Sequence, residues 1–156
     1  IASLVGSEMC IRDRDWKDLD FIIVDMPPGT GDTQLTFAQE ISMDGVIIVS
    51  TPQELALQDV KRGIAMFDKL NVNIIGLVDN MSFFLGDDGK KYNIFGDGGV
   101  KRTSEEFKKK FLGEIPINSE VGKFGDLGKP IVESMPDHEI SKIYANFAEQ
   151  VKSIYL

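Results

Sequence analysis

Thiols are almost absent from this chain, with Cys10 alone among 156 residues. A disulfide framework is therefore excluded. Histidine is as scarce: His138 stands alone beside Pro136 and Asp137, without partners for a metal site, and reads as a surface or capping residue. Positive charge is in deficit. Seventeen Lys and Arg against 25 Asp and Glu leave a net charge of −8, a poor fit for binding nucleic acid or anionic lipid through bulk charge. Lys108-Lys109-Lys110 reads as a solvated helix end assisted by the dipole. No apolar run approaches membrane-spanning length and no secretory signal is visible. The default compartment is cytoplasmic, with an organellar destination left open. What remains is 42% hydrophobic and 27% charged, enough for a real core in one domain.

The first residues stand apart. Leu4 to Asp13 (Leu-Val-Gly-Ser-Glu-Met-Cys-Ile-Arg-Asp) is what CTC GTG GGC TCG GAG ATG TGT ATA AGA GAC encodes. That string resembles the transposase adaptor of short-read sequencing libraries. Residues 1–14 are therefore expected to be a translated adaptor, Cys10 to be foreign, and residues 15–156 to be the carboxyl-terminal part of one domain.

The chain is organised around Asp20-Phe21-Ile22-Ile23-Val24-Asp25-Met26-Pro27-Pro28-Gly29-Thr30-Gly31-Asp32. Four large apolar residues ending in a carboxylate suit a strand buried on both faces of a parallel sheet. An acid at its carboxyl tip lies where open α/β sheets bind ligands. In nucleotide hydrolases such an acid holds Mg²⁺; elsewhere it merely caps a turn. The two prolines stiffen the exit, Gly29 frees the backbone for close approach to a phosphate, and Thr30 or Asp32 suits the N-cap of the next helix.

Downstream, a helix is expected over 33–41, a strand over 45–50, a helix over 54–70 with Leu57, Val60, Ile64 and Phe67 on one face, and a strand over 73–78. This alternation predicts an α/β, doubly wound, mostly parallel sheet. Residues 81–99 hold five glycines and exposed-type aromatics, which fits a hairpin excursion or flap. A helix over 104–110, a strand over 111–115, a loop-rich 117–136 and a helix over 139–154 complete the chain; the last has Ile140, Ile143, Phe147, Val151 and Ile154 in one stripe.

Five blocks, Asp25-Met26-Pro27-Pro28-Gly29-Thr30-Gly31-Asp32, Ser50-Thr51-Pro52-Gln53, Asp79-Asn80-Met81-Ser82, Ile94-Phe95-Gly96-Asp97-Gly98-Gly99 and Leu112-Gly113-Glu114-Ile115-Pro116, follow one another as in the Mrp/ApbC family. The sequence from Trp16 to Pro130 resembles these deviant-Walker P-loop ATPases, relatives of the nitrogenase iron protein and of MinD that carry iron–sulfur clusters. The resemblance implies that Asp25 is the Walker B acid near Mg²⁺, holding it through water, and that Gly29 senses the γ-phosphate of ATP. It implies that Asn80 bonds adenine while Pro116 lines the base, with Gln53 on the nucleotide side; the residues of that block by themselves read as helix capping by Ser50 or Thr51. It further implies an ATP-switched homodimer that delivers clusters to apo iron–sulfur proteins, with no nucleic acid or membrane partner.

Two departures matter. The family's glycine- and lysine-rich phosphate loop and its strand have no counterpart here, so these 156 residues by themselves are expected neither to bind ATP tightly nor to hydrolyse it. The family's Cys-x-x-Cys is matched by Gly86 and Gly89 around Asp87-Asp88, and glycine offers iron no ligand atom. A solvated hairpin turn is expected there. A nucleotide-switched scaffold of the MinD kind, with no cluster, is the alternative function; the balanced charges Glu139, Lys142, Glu149 and Lys152 of the last helix argue against membrane docking.

Overall fold

The computed structural model describes residues 15, 18–26 and 31–156. The chain forms two compact units, Ile1–Met43 and Asp44–Leu156.

In the first unit, helix α1 spans Asp32–Glu40. Its N-cap is Gly31, without a side-chain cap, so the cap falls one residue before the expected Asp32, and Thr30 lies outside the described residues. The Gly31 carbonyl accepts from Gln34 N and Leu35 N at 3.1 and 3.2 Å. Residues 21–26 are in neither helix nor strand. Phe21, Ile22, Ile23 and Val24 are exposed, Ile23 at 93%. This departs from the expected buried strand, and the reason lies in pairing. A run apolar on both faces is a strand only between neighbours, and no described strand pairs with it.

The second unit is built on a sheet of β1 (Val46–Ser50), β2 (Ile74–Leu85), β3 (Lys91–Tyr92) and β4 (Phe111–Ile117). β1 and β4 flank β2, both parallel to it, and β3 folds back antiparallel on its end. The expected third strand is thus longer than 73–78: it continues past the sheet into the hairpin that the glycine-rich segment suggested. β2 carries an extra residue opposite the Val46–Ile47 step, and β4 one opposite Leu77–Val78. Such bulges break strict alternation, which lets Ile75 and Val78, three apart, share one cluster with Leu112 and Ile115.

Helix α2 (Glu54–Lys69) buries Leu57, Val60, Gly63, Ile64 and Phe67, the face its spacing predicts. It packs with β1, β2 and helix α3 (Gly99–Glu106). α3 begins five residues earlier than expected and stops before the lysines, because Lys108 adopts a left-handed φ of 54° that ends the helix. The stretch expected to be loop-rich contains α4 (Ser119–Asp126) and α5 (Ile131–Ser134). Asn118 starts α4 by accepting from Glu120 N at 2.8 Å, an ordinary N-cap overlooked because glycine and proline surround it. Helix α6 (Glu139–Tyr155) starts at His138, whose Nδ1 accepts from Ile140 N at 3.2 Å, in line with the capping role. Ile143, Tyr144, Phe147 and Val151 then cover the Ile75–Val78–Leu112–Ile115 cluster. A Cβ on Gly113 would lie 2.9 Å from the Phe147 ring, and its φ is +145°, so only glycine lets α6 approach β4 here.

Candidate functional site at the carboxyl edge of the sheet

β1, β2 and β4 run parallel, and the end of β1 lies level with the middle of β2 and the second half of β4. In register, Ser50 faces Asp79, Asp79 faces Glu114, and Asn80 faces Ile115, next to Pro116. Asn80 and Pro116 are both half-buried. The topology thus brings together two residues that the family resemblance assigned to the adenine.

Asn80 is held by an irregularity. Four β2 steps from Asn80 to Phe84 oppose only two β4 steps from Ile115 to Ile117, so the Met81–Phe83 backbone bulges from the ladder. Met81 has a left-handed φ of 54°, an uncommon conformation for a side chain of its kind. Two bonds hold the bulge: Asn80 Oδ1 accepts from Met81 N at 3.0 Å, and Ser82 Oγ donates to the Ile115 carbonyl at 3.2 Å. With its oxygen engaged, Asn80 is left with its amide NH₂ as the group to offer a ligand.

A second contact joins two of the sequence blocks. A Cβ on Gly99 would lie 2.6 Å from the Pro52 carbonyl oxygen and 2.7 Å from Leu57 Cδ1; one on Gly96 would lie 3.0 Å from the same carbonyl. These glycines let the start of α3 close onto the β1–α2 turn. Gln53 is the exposed N-cap of α2 without a side-chain cap bond, and Ser50 Oγ donates to the Thr51 carbonyl at 3.0 Å. The expected capping by Ser50 or Thr51 is thereby replaced: Pro52 extends the turn by two residues, moving the cap beyond their reach.

The most unusual group is Asp79. It is fully buried, and neither carboxylate oxygen has a hydrogen-bond partner. Burial pushes its pKa up to about 6, with Glu114 and then Asp97 adding like charge. Glu114 and Asp97 also line a cavity of about 180 Å³, together with Ser82, Phe83, Lys91 and Asn93. Sequence reasoning quoted Asp79 within a block and assigned it nothing. The signal was available: Ile-Ile-Gly-Leu-Val-Asp ends an apolar run in an acid just as Phe-Ile-Ile-Val-Asp does at Asp25.

Asp25 itself is exposed, and Gly29, Pro27 and Pro28 lie outside the described residues. Among the described residues no three His, Cys, Asp or Glu group together as a metal site. Gly86–Lys90 forms the expected hairpin turn. Gly86 N donates to the Lys90 carbonyl at 2.9 Å, Asp88 accepts from Lys90 N and Tyr92 Oη at 3.0 Å each, and Gly89 has φ +75°. These side chains and backbone groups satisfy one another, and they present no thiolate.

The family model described as ParA: NUBPL iron-transfer P-loop NTPase matches residues 7–152. The chain belongs to this family. An iron-sulfur cluster carrier protein of Aquifex aeolicus is 42% identical over 140 residues, covering 89% of this chain and 38% of that protein. An Arabidopsis thaliana iron-sulfur protein required for NADH dehydrogenase, mitochondrial, is 46% identical over 138 residues, covering 88% and 44%. The chain thus spans less than half the length of these curated relatives. Among solved structures, a nucleotide-binding protein of Archaeoglobus fulgidus in complex with ADP is 36% identical with a TM-score of 0.72, covering 83% of this chain and 54% of that one. The cell division ATPase MinD of Pyrococcus furiosus, 19% identical with a TM-score of 0.69 over 88% and 54%, shares the fold. The fold is thus α/β and mostly parallel, as the strand–helix alternation predicted, and of the P-loop NTPase class that the family resemblance implied. Among the described residues no helix is long and apolar enough to cross a membrane.

Proposed function

We propose that the whole protein is an ATP-binding and ATP-hydrolysing iron–sulfur cluster carrier, which hands clusters as cargo to apo iron–sulfur proteins. The observation that carries this reading is the position of Asn80 on a strained bulge midway along β2, beside Pro116 near the end of β4. An amide donor and a flat apolar ring at one sheet edge suit a purine. In this reading Asn80 donates to the base, Pro116 covers it, Asp25 holds Mg²⁺ through water and Gly29 senses the γ-phosphate. Loading with ATP switches a cytoplasmic homodimer between two conformations, following the general logic of γ-phosphate switches. The phosphates themselves need a backbone N–H cradle and lysines supplied by chain beyond these residues.

The cluster's thiolates are not supplied by the 86–89 turn. The turn lacks the ligand atoms, and a Cβ at Gly86 would lie 2.7 Å from the Tyr92 ring and 2.8 Å from Asp88 Oδ1, whereas one at Gly89 would meet no atom within 4 Å. That observation favours a second reading, a nucleotide-switched scaffold without cargo, and one experiment divides the two. In the full-length protein, Asn80→Ala is expected to weaken ATP binding about tenfold, the equivalent of one lost hydrogen bond. Anaerobic reconstitution with iron and sulfide is expected to give cluster absorption. Unchanged ATP affinity in Asn80→Ala would refute the base site. Intact ATP binding with no cluster absorption would establish the scaffold.

A further inference from the structure

An asparagine with both ends of its amide free reads adenine twice: its oxygen accepts from the 6-amino group and its NH₂ donates to N7. Asn80 does not have both ends free. Its Oδ1 accepts from Met81 N at 3.0 Å. A backbone N–H can be met only by the oxygen end of an amide, which leaves the NH₂ as the end turned away.

The surrounding backbone holds this orientation. Ladder partners pass from Asn80 and Ile115 directly to Phe84 and Ile117, so Met81, Ser82 and Phe83 have no register partner on β4. The Met81 N–H therefore lies outside the ladder, and Asn80 Oδ1 is the acceptor it meets. Buried Ser82 pins the far side of the bulge, donating to the Ile115 carbonyl at 3.2 Å. Met81 is kept at a φ of 54°, a conformation that such a side chain holds only where its surroundings impose it. Turning the amide over would set its NH₂ against the Met81 N–H, donor against donor.

We infer that Asn80 reads a purine only by donating to N7, so that the site admits purine nucleoside triphosphates in general and leaves the 6-position unread. The inference rests on the nucleotide reading above and concerns which base that site admits. N7 is an acceptor in adenine and guanine alike; at the 6-position one base carries an amino donor and the other a carbonyl acceptor. An amide whose oxygen is engaged gains nothing from the amino group, and its second hydrogen can meet a carbonyl instead. Strong rejection of a competing ligand needs a polar group of the site that the competitor leaves unpaired. Here the amide oxygen already has its partner, and Pro116 offers the ring only apolar contact.

The test is equilibrium binding of magnesium nucleotides to the full-length protein. The probes are ATP, ITP, purine riboside triphosphate, which lacks the 6-substituent, and 7-deaza-ATP, which lacks N7. ITP and the purine riboside nucleotide are expected to bind within about threefold of ATP. 7-Deaza-ATP is expected to bind about tenfold more weakly than ATP, and equally with ATP in Asn80→Ala, where the donor is gone. Asn80→Asp keeps an oxygen and loses the donor, so it is expected to bind ATP no better than Asn80→Ala. A loss of about tenfold with ITP or the purine riboside nucleotide would show that the 6-amino group is read, and would overturn the inference while leaving the base site standing. Wild-type protein that binds 7-deaza-ATP as tightly as ATP would overturn it equally. ATP affinity unchanged in Asn80→Ala is the separate outcome that removes the base site, and the inference with it.

Discussion

The two ends of the parallel sheet carry two cavities, and they differ in kind. At the amino end a space of about 460 Å³ lies among Asp68, Asn71, Asn73 and Lys108–Lys110. There α2 and α3 stop in the same way: Asn71 and Lys108 turn left-handed, and the following N–H groups return to Phe67 and Ser104 carbonyls at 3.0 and 2.8 Å, the bonds of a Schellman end. Lys109 reaches across to Asp68 at 2.6 Å. At the carboxyl end the space is less than half as large, yet its wall holds Glu114, the strand partner of the unpartnered Asp79, and Ser82, which follows the left-handed Met81. Size marks the end where chain direction is reversed and charges are matched. Unmet chemistry marks the end where a ligand is wanted.

The contrast can be broken at three places. The largest effect is expected from Asp79. Its folded pKa of about 6 exceeds the ordinary 3.8, so the folded state holds the proton more tightly than the unfolded chain does. That contribution is complete below about pH 4 and is lost as pH rises through about 6, a difference of about 3 kcal/mol. Urea unfolding at about pH 3 and about pH 8 should show wild type losing stability relative to Asp79→Asn by about that amount; parallel pH profiles would mean the acid is answered after all. Next is Gly99→Ala, which drives a methyl group against the Pro52 carbonyl and should cost about 2 kcal/mol of unfolding free energy. A stability within experimental error of wild type would show that the α3 start yields freely. The smallest is Lys109→Met at the amino end, where one partly exposed ion pair is removed and about 0.5 kcal/mol is lost. A larger loss there than at Gly99 would reverse the ranking of the two ends.

Legibility in the sequence followed the same division. The periodicity of Leu57, Val60, Ile64 and Phe67 marked α2, and β1 and the body of β2 were plain as apolar runs, because regular burial writes itself at fixed spacing. α4 and α5 were missed: each is short, and Gly122, Gly125 and Pro130 disguise them as loop. The start of α3 was hidden because Gly98 and Gly99 read as breakers while serving as cap and packing surface. Phe21 to Val24 failed for the opposite reason. Its composition reports the neighbours a strand needs, and composition cannot supply them. Asn80 and Pro116 were singled out through family blocks, and in the sheet register Asn80 faces Ile115, next to Pro116. The apolar run before Asp79 marked an acid at its end, and tertiary burial is what separates an orphaned acid from a turn former there.

The hairpin tip has a bearing on engineering. Anyone wishing to graft a pair of sulfur donors onto positions 86 and 89 would meet the Tyr92 ring at the first and a left-handed backbone at the second, the latter alone resisting any branched replacement by about 1 kcal/mol or more. Trimming Tyr92 and shortening Asp88 would have to come first. In this chain, regaining that chemistry is a matter of rebuilding a loop, and two point changes would not suffice.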